Sequence, residues 1–537
     1  MLEPTGGSVP PARIILLDTT LRDGMQGTGI SYTLEDKLAI ALQLDEFGID
    51  YIEGGFPLAN NKELEFFRRI RTEKLKNSRI AAFGSTRRPR QRVEADPNIR
   101  ALLDAGTPCV VVVGKSWTEH VRSVLRTTLE ENLAMIHDSL SLLKKEGREV
   151  FFDLEHFFDG YKQDPGYSLE ILATASAAGA DCLVLCDTNG GSLPAEVARI
   201  MSELPLERLA PLGVHAHNDA GTAVANTLAA VEGGAAHVQG TINGWGERCG
   251  NANLCTVIPN LVLKMKRELA CAPNLRHLTS LSRFVAEKAN IIPDQRQPYV
   301  GEAAFSHKAG QHADVVAKDP RLMEHIPADT VGNERRLILS ELAGKSTVVR
   351  RLAKYGSFDK SSELVGQLTG RLKSLEEEGY EYEAAEASFD LIIRKALNRY
   401  RPLLELRNYH LEDFKATDSP AKTVGRIFLA AAGKELMGAA AGNGPVETLD
   451  YCLRDALEPR HPFLSKIKLI DYAVRVLNPE QATAARVRVF ITSSDGERTW
   501  STVGVSEDIV EASWQALVDS MEYYFNNFIL EGSENGQ

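Results

Sequence analysis

Two histidines at i and i+2, His215 and His217, stand in the run His215-Ala216-His217-Asn218-Asp219, and Asp23 closes the run Asp18-Thr19-Thr20-Leu21-Arg22-Asp23. On a strand, residues i and i+2 point to the same face, so both imidazoles can meet one ion. Two imidazoles and a carboxylate suit a divalent metal and leave positions for water and substrate. A lone His-x-His is weak, since core and surface histidines account for most such pairs. The acid at a second strand end gives this set its weight. Asp219 is read differently, as a cap for the helix that follows. Further polar groups fall in the same kind of place: Glu53 in Tyr-Ile-Glu-Gly-Gly-Phe-Pro, Asp153 and Glu155, Asp187-Thr188-Asn189, and Asn243-Gly244-Trp245-Gly246-Glu247-Arg248. Each alone could belong to a loop or a cap. Together they gather at one end of at least six β-rich runs, as the rim of one site would.

Those runs are Ile14–Leu17, Tyr51–Phe56, Ile80–Phe83, Cys109–Val113, Val150–Leu154, Cys182–Cys186, Leu212–His217 and Val238–Ile242. Helical stretches such as Leu34–Phe47, Leu129–Lys145 and Ala223–Val231 lie between them. Eight strand–helix units in about 260 residues predict a (β/α)8 TIM barrel, with catalytic side chains at the C-terminal strand ends. A doubly wound sheet needs fewer units, and no Gly-rich phosphate loop follows the first run.

At 537 residues the chain exceeds a single core. Residues 1–275 read as the barrel, 276–420 as helical linker subdomains, and 421–537 as a smaller α+β module. That module has a pseudo-repeat. Arg426–Ala432 leads to a helix at Val446–Leu457, and Ala485–Thr492 leads to one at Ile509–Tyr524. The turns Gly442-Asn443-Gly444-Pro445 and Gly504-Val505-Ser506 open these helices, where free N–H groups can hold a carboxylate, although capping is the plainer use.

A net charge of −12 argues against a nucleic-acid surface. The basic stretch Arg87–Arg92 reads as a solvated loop, with contact to an anionic substrate as the other use. No run of about 18 apolar residues is present to span a membrane, and Met1 to Pro11 lacks an apolar signal core. Seven cysteines without a regular framework point to reduced thiols and a cytoplasmic protein. Cys182 and Cys186 read as packing residues, and His120, His137, His237, His277, His410 and His461 carry no motif.

The runs 18–26, His-x-His-Asn-Asp and Gly246-Glu247-Arg248-Cys249-Gly250-Asn251-Ala252-Asn253 resemble the 2-isopropylmalate, homocitrate and citramalate synthases of the DRE-TIM metallolyase group. The likeness covers nearly the whole chain, since the Gly-Asn-Gly-Pro-Val module looks like that family's regulatory domain. Glu155–Lys162, Asn243–Arg248 and Val331–Arg336 look most like the citramalate branch. The resemblance implies that Asp23, His215 and His217 bind Mn2+, Mg2+, Co2+ or Zn2+, with Asn251 a more distant ligand. It gives Arg22 the oxyanion, Glu53 the orienting of Arg22, and Glu155 and Thr188 contact with the substrate or the acetyl group. His312 matches a catalytic histidine that reaches a neighbouring subunit's barrel in a homodimer. A tyrosine normally follows it, and Met323 stands at that position here, which implies either weaker acetyl activation or a role passed to Tyr299 or to water.

The implied reaction joins acetyl-CoA to a 2-oxo acid, pyruvate on the branch-like phrases, in isoleucine biosynthesis under control of an amino-acid effector. A larger oxo acid, as in isopropylmalate or homocitrate synthesis, is the nearest alternative. A lyase is disfavoured by the added regulatory-looking module. A catalytically silent scaffold is disfavoured by intact Arg22, Asp23, His215 and His217.

Overall fold

The structure is a computed structural model and describes residues 13–307, 315–316, 318–337, 345–382, 384–478 and 484–530. The chain forms two compact units, Met1–Ser306 with His325–Arg336, and His307–Glu324 with Leu337–Gln537.

In the first unit eight parallel strands close into a barrel. They are β1 (Ile15–Asp18), β2 (Tyr51–Gly55), β3 (Arg79–Ser85), β4 (Cys109–Lys115), β5 (Glu149–Glu155), β6 (Cys182–Asp187), β7 (Leu212–Ala216) and β8 (His237–Gly240). Strand alternation sorts their side chains into two cores. Leu17, Val111, Phe151 and Val184 fill the barrel, while Leu16, Val110, Phe152 and Leu183 turn outward under the helices. Burying each such side chain contributes roughly 1.5–3 kcal/mol before chain entropy is counted. Local signals set the helix ends. In α1 (Leu34–Phe47), Thr33 and Asp36 form a reciprocal capping box, and Gly48 ends the helix at φ 96°, where a side chain would be strained. Helices α2 (Leu129–Lys145) and α3 (Ala223–Glu232) follow strands β4 and β7 in the chain.

The second unit holds α4 (Glu363–Glu377) and α5 (Glu386–Ala396), then a three-stranded sheet and a helix, twice over. The first set is β9 (Glu405–Phe414), β10 (Lys422–Ala431), β11 (Lys434–Gly442) and α6 (Pro445–Leu457). The second is β12 (Lys468–Val476), β13 (Val487–Ser494), β14 (Thr499–Ser506) and α7 (Ile509–Tyr524). Each first strand slips register near its start, at Leu406/Asn408 and at Leu469/Asp471, so the repeat extends to its irregularities.

Two expectations change here. Residues 405–414 read as part of a charged, helical stretch but form a strand, because the bulge breaks the alternation that would have announced it. The two helix-opening turns do not offer free anion sites. Asn443 N–H donates to Glu447 Oε2 at 2.6 Å, and the cap of α7 is Asp508, which accepts from Val510 N–H at 2.7 Å. Each turn already holds a carboxylate of its own.

Candidate active site at the barrel mouth

Strand β1 ends at Asp18, whose carboxylate accepts from the Thr20 N–H and hydroxyl, both at 2.9 Å. That turn carries Arg22 and Asp23 over the mouth of the barrel. Arg22 Nε donates to Glu53 Oε2 at 2.6 Å, its Nη1 lies 3.2 Å from Asp23 Oδ2, and its guanidinium sits 4.0 Å above the Phe83 ring. Glu53, on β2, is fully buried.

His215 and His217 come from the end of β7. Their Nε2 atoms are 3.3 Å apart, and lie 3.3 and 3.8 Å from Asp23 Oδ2. The loop after β8 then doubles back. Ala252 N–H donates to Ala216 O at 2.9 Å and Asn218 N–H to Gly250 O at 2.9 Å, which sets Asn251 opposite His217. Gly250 permits this reversal: its φ is 90°, and an added Cβ would meet Gly244 O at 2.1 Å. Arg248 ties the rim together through Asp219, at 2.8 and 3.0 Å, and the Thr188 carbonyl at 2.7 Å. Asp219 is therefore not the helix cap expected of it. Its neighbour Asn218 accepts from Ala223 N–H at 3.1 Å instead.

The fit of a cation can be tested on what these groups lack. Asp23 Oδ1, Asn251 Oδ1, Glu53 Oε1 and His217 Nδ1 are buried without a hydrogen-bond partner among the described residues. Lone pairs buried unmet are costly, and one ligand atom each from Asp23, His215 and His217 lies within 4.8 Å of the others. A carboxylate and two imidazoles so placed fit a divalent cation. The electrostatics agree. Burial alone would raise Asp23, but Arg22, His215 and His217 hold it well below the usual carboxylate range. Burial, then His215, pushes His217 down to about 4, which keeps its imidazole neutral.

Sequence reasoning missed Gln239, on β8 and wholly buried. It bridges His215 on β7, at 2.8 Å, to Asp153 on β5, at 3.0 Å. Burial lifts Asp153 to about 7, with Glu53 adding to the rise. Its signal was a polar residue inside an apolar strand run. Lys115 was missed too, and its ammonium group pairs with Glu155 Oε2.

A pocket of about 250 Å3 gathers Arg22, Asp23, Glu155, Thr188, His215 and His217, walled by Phe83, Val113 and Cys186. Thr188 Oγ1 accepts from His156 N–H at 2.8 Å. His312 lies outside the described residues. Met323 is exposed. Tyr299 donates to Asn260 Oδ1 at 3.0 Å and packs against His325, and it is not among the residues lining this chain's own pocket.

Comparison with known proteins agrees with this geometry. Residues 13–285 match the HMGL-like family model, 299–380 the homocitrate synthase post-HMGL domain-like model, and 383–525 the LeuA allosteric (dimerisation) domain. An (R)-citramalate synthase of Aquifex aeolicus is 48% identical over 95% of this chain and 97% of its own. That of Synechocystis sp. is 47% identical over 95% of each. A 2-isopropylmalate synthase of Methanocaldococcus jannaschii is 30% identical over 95% of this chain and 94% of its own. The chain belongs to the HMGL-like family, in the branch of the (R)-citramalate synthases.

Proposed function

We propose that this chain is an acyltransferase that condenses acetyl-CoA with pyruvate, giving (R)-citramalate and free CoA. The observation that carries the reading is the small barrel pocket in which Arg22, Asp23, His215 and His217 meet beside the apolar wall of Phe83 and Val113. At about 250 Å3 it lies below the ~300–1,000 Å3 usual for larger ligands.

Asp23, His215 and His217, with Asn251 more distant, would hold a divalent cation (Mn2+, Mg2+, Co2+ or Zn2+), which would supply Lewis acidity toward the ketone carbonyl. A base removes one proton from the acetyl methyl group, and the carbon so exposed attacks the ketone carbon. Glu155 and Thr188 contact the 2-oxo acid or the acetyl group, and His312 of a neighbouring subunit serves this step. Arg22, steadied by Glu53, stabilises the alkoxide that forms on the ketone oxygen. That oxygen takes a proton equal to the one the base removed, and one water cleaves the thioester to a carboxylate, a proton and the free thiol, which makes the sequence irreversible in practice.

The reading extends to a cytoplasmic homodimer in isoleucine biosynthesis, restrained by isoleucine or leucine held in the C-terminal module. Support comes from the match to the LeuA allosteric (dimerisation) domain and from seven free cysteines.

Thiol release from acetyl-CoA, measured with pyruvate, 2-oxobutyrate and 2-oxoisovalerate, is the direct test. We expect pyruvate to have the highest kcat/KM. A 2-oxoisovalerate optimum would make this an isopropylmalate synthase, and no thiol release with any acceptor would end the synthase reading.

A further inference from the structure

Strand β5 ends at Glu155, in register with Lys115 at the end of β4. The chain leaving β4 is tied to this end, because Ser116 donates to Glu155 O through its N–H at 3.2 Å and its hydroxyl at 2.6 Å. The short helix Thr118–Ser123 follows and carries His120. His156 comes directly after Glu155, at φ 59°, and opens the helix Phe157–Gln163. Gly160 lets that helix close on the end of β4, since an added Cβ would meet Ser116 O at 2.4 Å. One ligand atom each from His120, Glu155 and His156 thereby lies within 4.8 Å of the others.

This cluster repeats the plan of the candidate metal centre. There the His215 and His217 ring centroids are 5.1 Å apart at 55°, beside the carboxylate of Asp23 and the guanidinium of Arg22. Here the His120 and His156 centroids are 4.4 Å apart at 62°, beside the carboxylate of Glu155 and the ammonium group of Lys115. As Gln239 does for His215, an acceptor orients one ring. His156 Nδ1 lies 3.0 Å from Asp159 Oδ2, and Asp159 is held in turn by the Asn189 amide at 2.8 Å. Nδ1 donates to that carboxylate, and Nε2 is the atom left to ligate. His120 Nδ1 is buried with no hydrogen-bond partner among the described residues, and the Trp117 ring stacks on that imidazole at 4.9 Å. Burial, then His156 and Lys115, hold His120 below its ordinary pKa, so near neutral pH the ring is uncharged and able to ligate.

We propose that His120, Glu155 and His156 form a second cation site for a borderline divalent ion such as Zn2+ or Co2+. Two imidazoles and one carboxylate suit these ions, whereas Mg2+ favours oxygen ligands and keeps its water. The ion takes the place of the Lys115 ammonium group, whose side chain is 21% exposed and can turn to solvent. The three ligands are only half-buried and a cation must be displaced, so this site is the weaker of the two. Glu155 also lines the barrel pocket. On the reading that it contacts the 2-oxo acid or the acetyl group, an ion held here withdraws that carboxylate from the reaction. Excess Zn2+ then inhibits a chain that a first divalent ion activates.

Equilibrium dialysis of the full, untagged chain against Co2+ tests the site without reference to turnover. The wild type is compared with His217→Ala, His120→Phe, which keeps a ring on Trp117, and His156→Asn, which tolerates the left-handed backbone. Each variant is first shown to melt cooperatively. We expect the wild type to bind two ions, the second more weakly. His120→Phe and His156→Asn should weaken the second by about a hundredfold or more, beyond the usual loss of an outer-shell partner. His217→Ala should lose the tighter ion and keep the weaker. A single ion in the wild type, or an unchanged second affinity in either His120→Phe or His156→Asn, would overturn the site. In saturating Mg2+, added Zn2+ should slow thiol release by the wild type and spare those two variants. Equal inhibition of all three would overturn the link to Glu155. No thiol release by any of them would end the condensation reading, and the ion count would still decide the second site.

Discussion

His215 Nδ1 lies 2.8 Å from the side-chain oxygen of Gln239, its register partner on the adjacent strand. The Gln239 amide nitrogen donates to Asp153 at 3.0 Å, which turns the oxygen toward the imidazole. A carbonyl oxygen only accepts, so Nδ1 donates to it, and Nε2, 3.3 Å from Asp23 Oδ2, is the atom left to ligate a cation shared with Asp23. Partners that orient a ligand in this way are typically worth 10–100-fold in metal affinity. We expect Gln239→Leu to bind the metal about 10–100-fold more weakly, and Gln239→Glu, which keeps an acceptor, to bind nearer the wild type. Metal titration of the purified protein reads this without reference to turnover. Equal affinity in the wild type and Gln239→Leu would remove the role.

Metal removal should silence the chain. Exhaustive chelation is expected to abolish thiol release, and added Mn2+, Mg2+, Co2+ or Zn2+ to restore part of it. His217→Ala should not recover on the same additions. Full turnover by that variant after chelation would defeat the ligand set of Asp23, His215 and His217.

Arg22 and Glu53 should act as a unit, since the 2.6 Å contact between them holds the guanidinium where an alkoxide would form. Arg22→Lys keeps the charge but loses the planar fork. We expect kcat to fall by about 10²–10³, the usual cost of one oxyanion donor, with a smaller change in KM. Glu53→Gln should cost less. The double variant should fall short of the product of the two single losses, because removing either group already misplaces the other. Independent, multiplicative losses would show that Glu53 does not orient Arg22.

The barrel was legible because its signals are local. Each strand is a short, largely apolar run, and the site motifs sit at the ends of such runs, so that Arg22, Asp23, His215 and His217 could be picked out one strand at a time. What escaped depends on pairing. Gln239 matters only because β8 lies beside β7 in one particular register and faces Asp153 across the interior. Asn218 and Asp219 are adjacent polar residues, and which one meets the first N–H of the helix is decided by Arg248 arriving from the next loop and taking Asp219. Strand β9 was hidden by its own bulge, and β11, rich in alanine and glycine, is held in place by its pairing with β10 rather than by propensity.

Glu522 gives a pH test that is independent of catalysis. Burial comes first among the causes that lift its carboxyl to about 7, from 4.5 for the free group, and the Tyr400 hydrogen bond only partly opposes it. Between those values the folded chain holds a proton that the unfolded chain has released. This contribution to stability is therefore fully present below about pH 4.5 and is lost as pH rises through about 7. Glu522→Gln removes the titration but keeps an acceptor for Tyr400. We expect the variant's Tm to pull ahead of the wild type's between about pH 5 and pH 8, following a difference in stability of roughly 3 kcal/mol once the native carboxylate is ionised. Circular dichroism melts of the two proteins across that range decide it. A constant difference in Tm, or a gain at the acid end only, would mean that Glu522 titrates as a solvated carboxylate and that its surroundings are wetter than its burial implies.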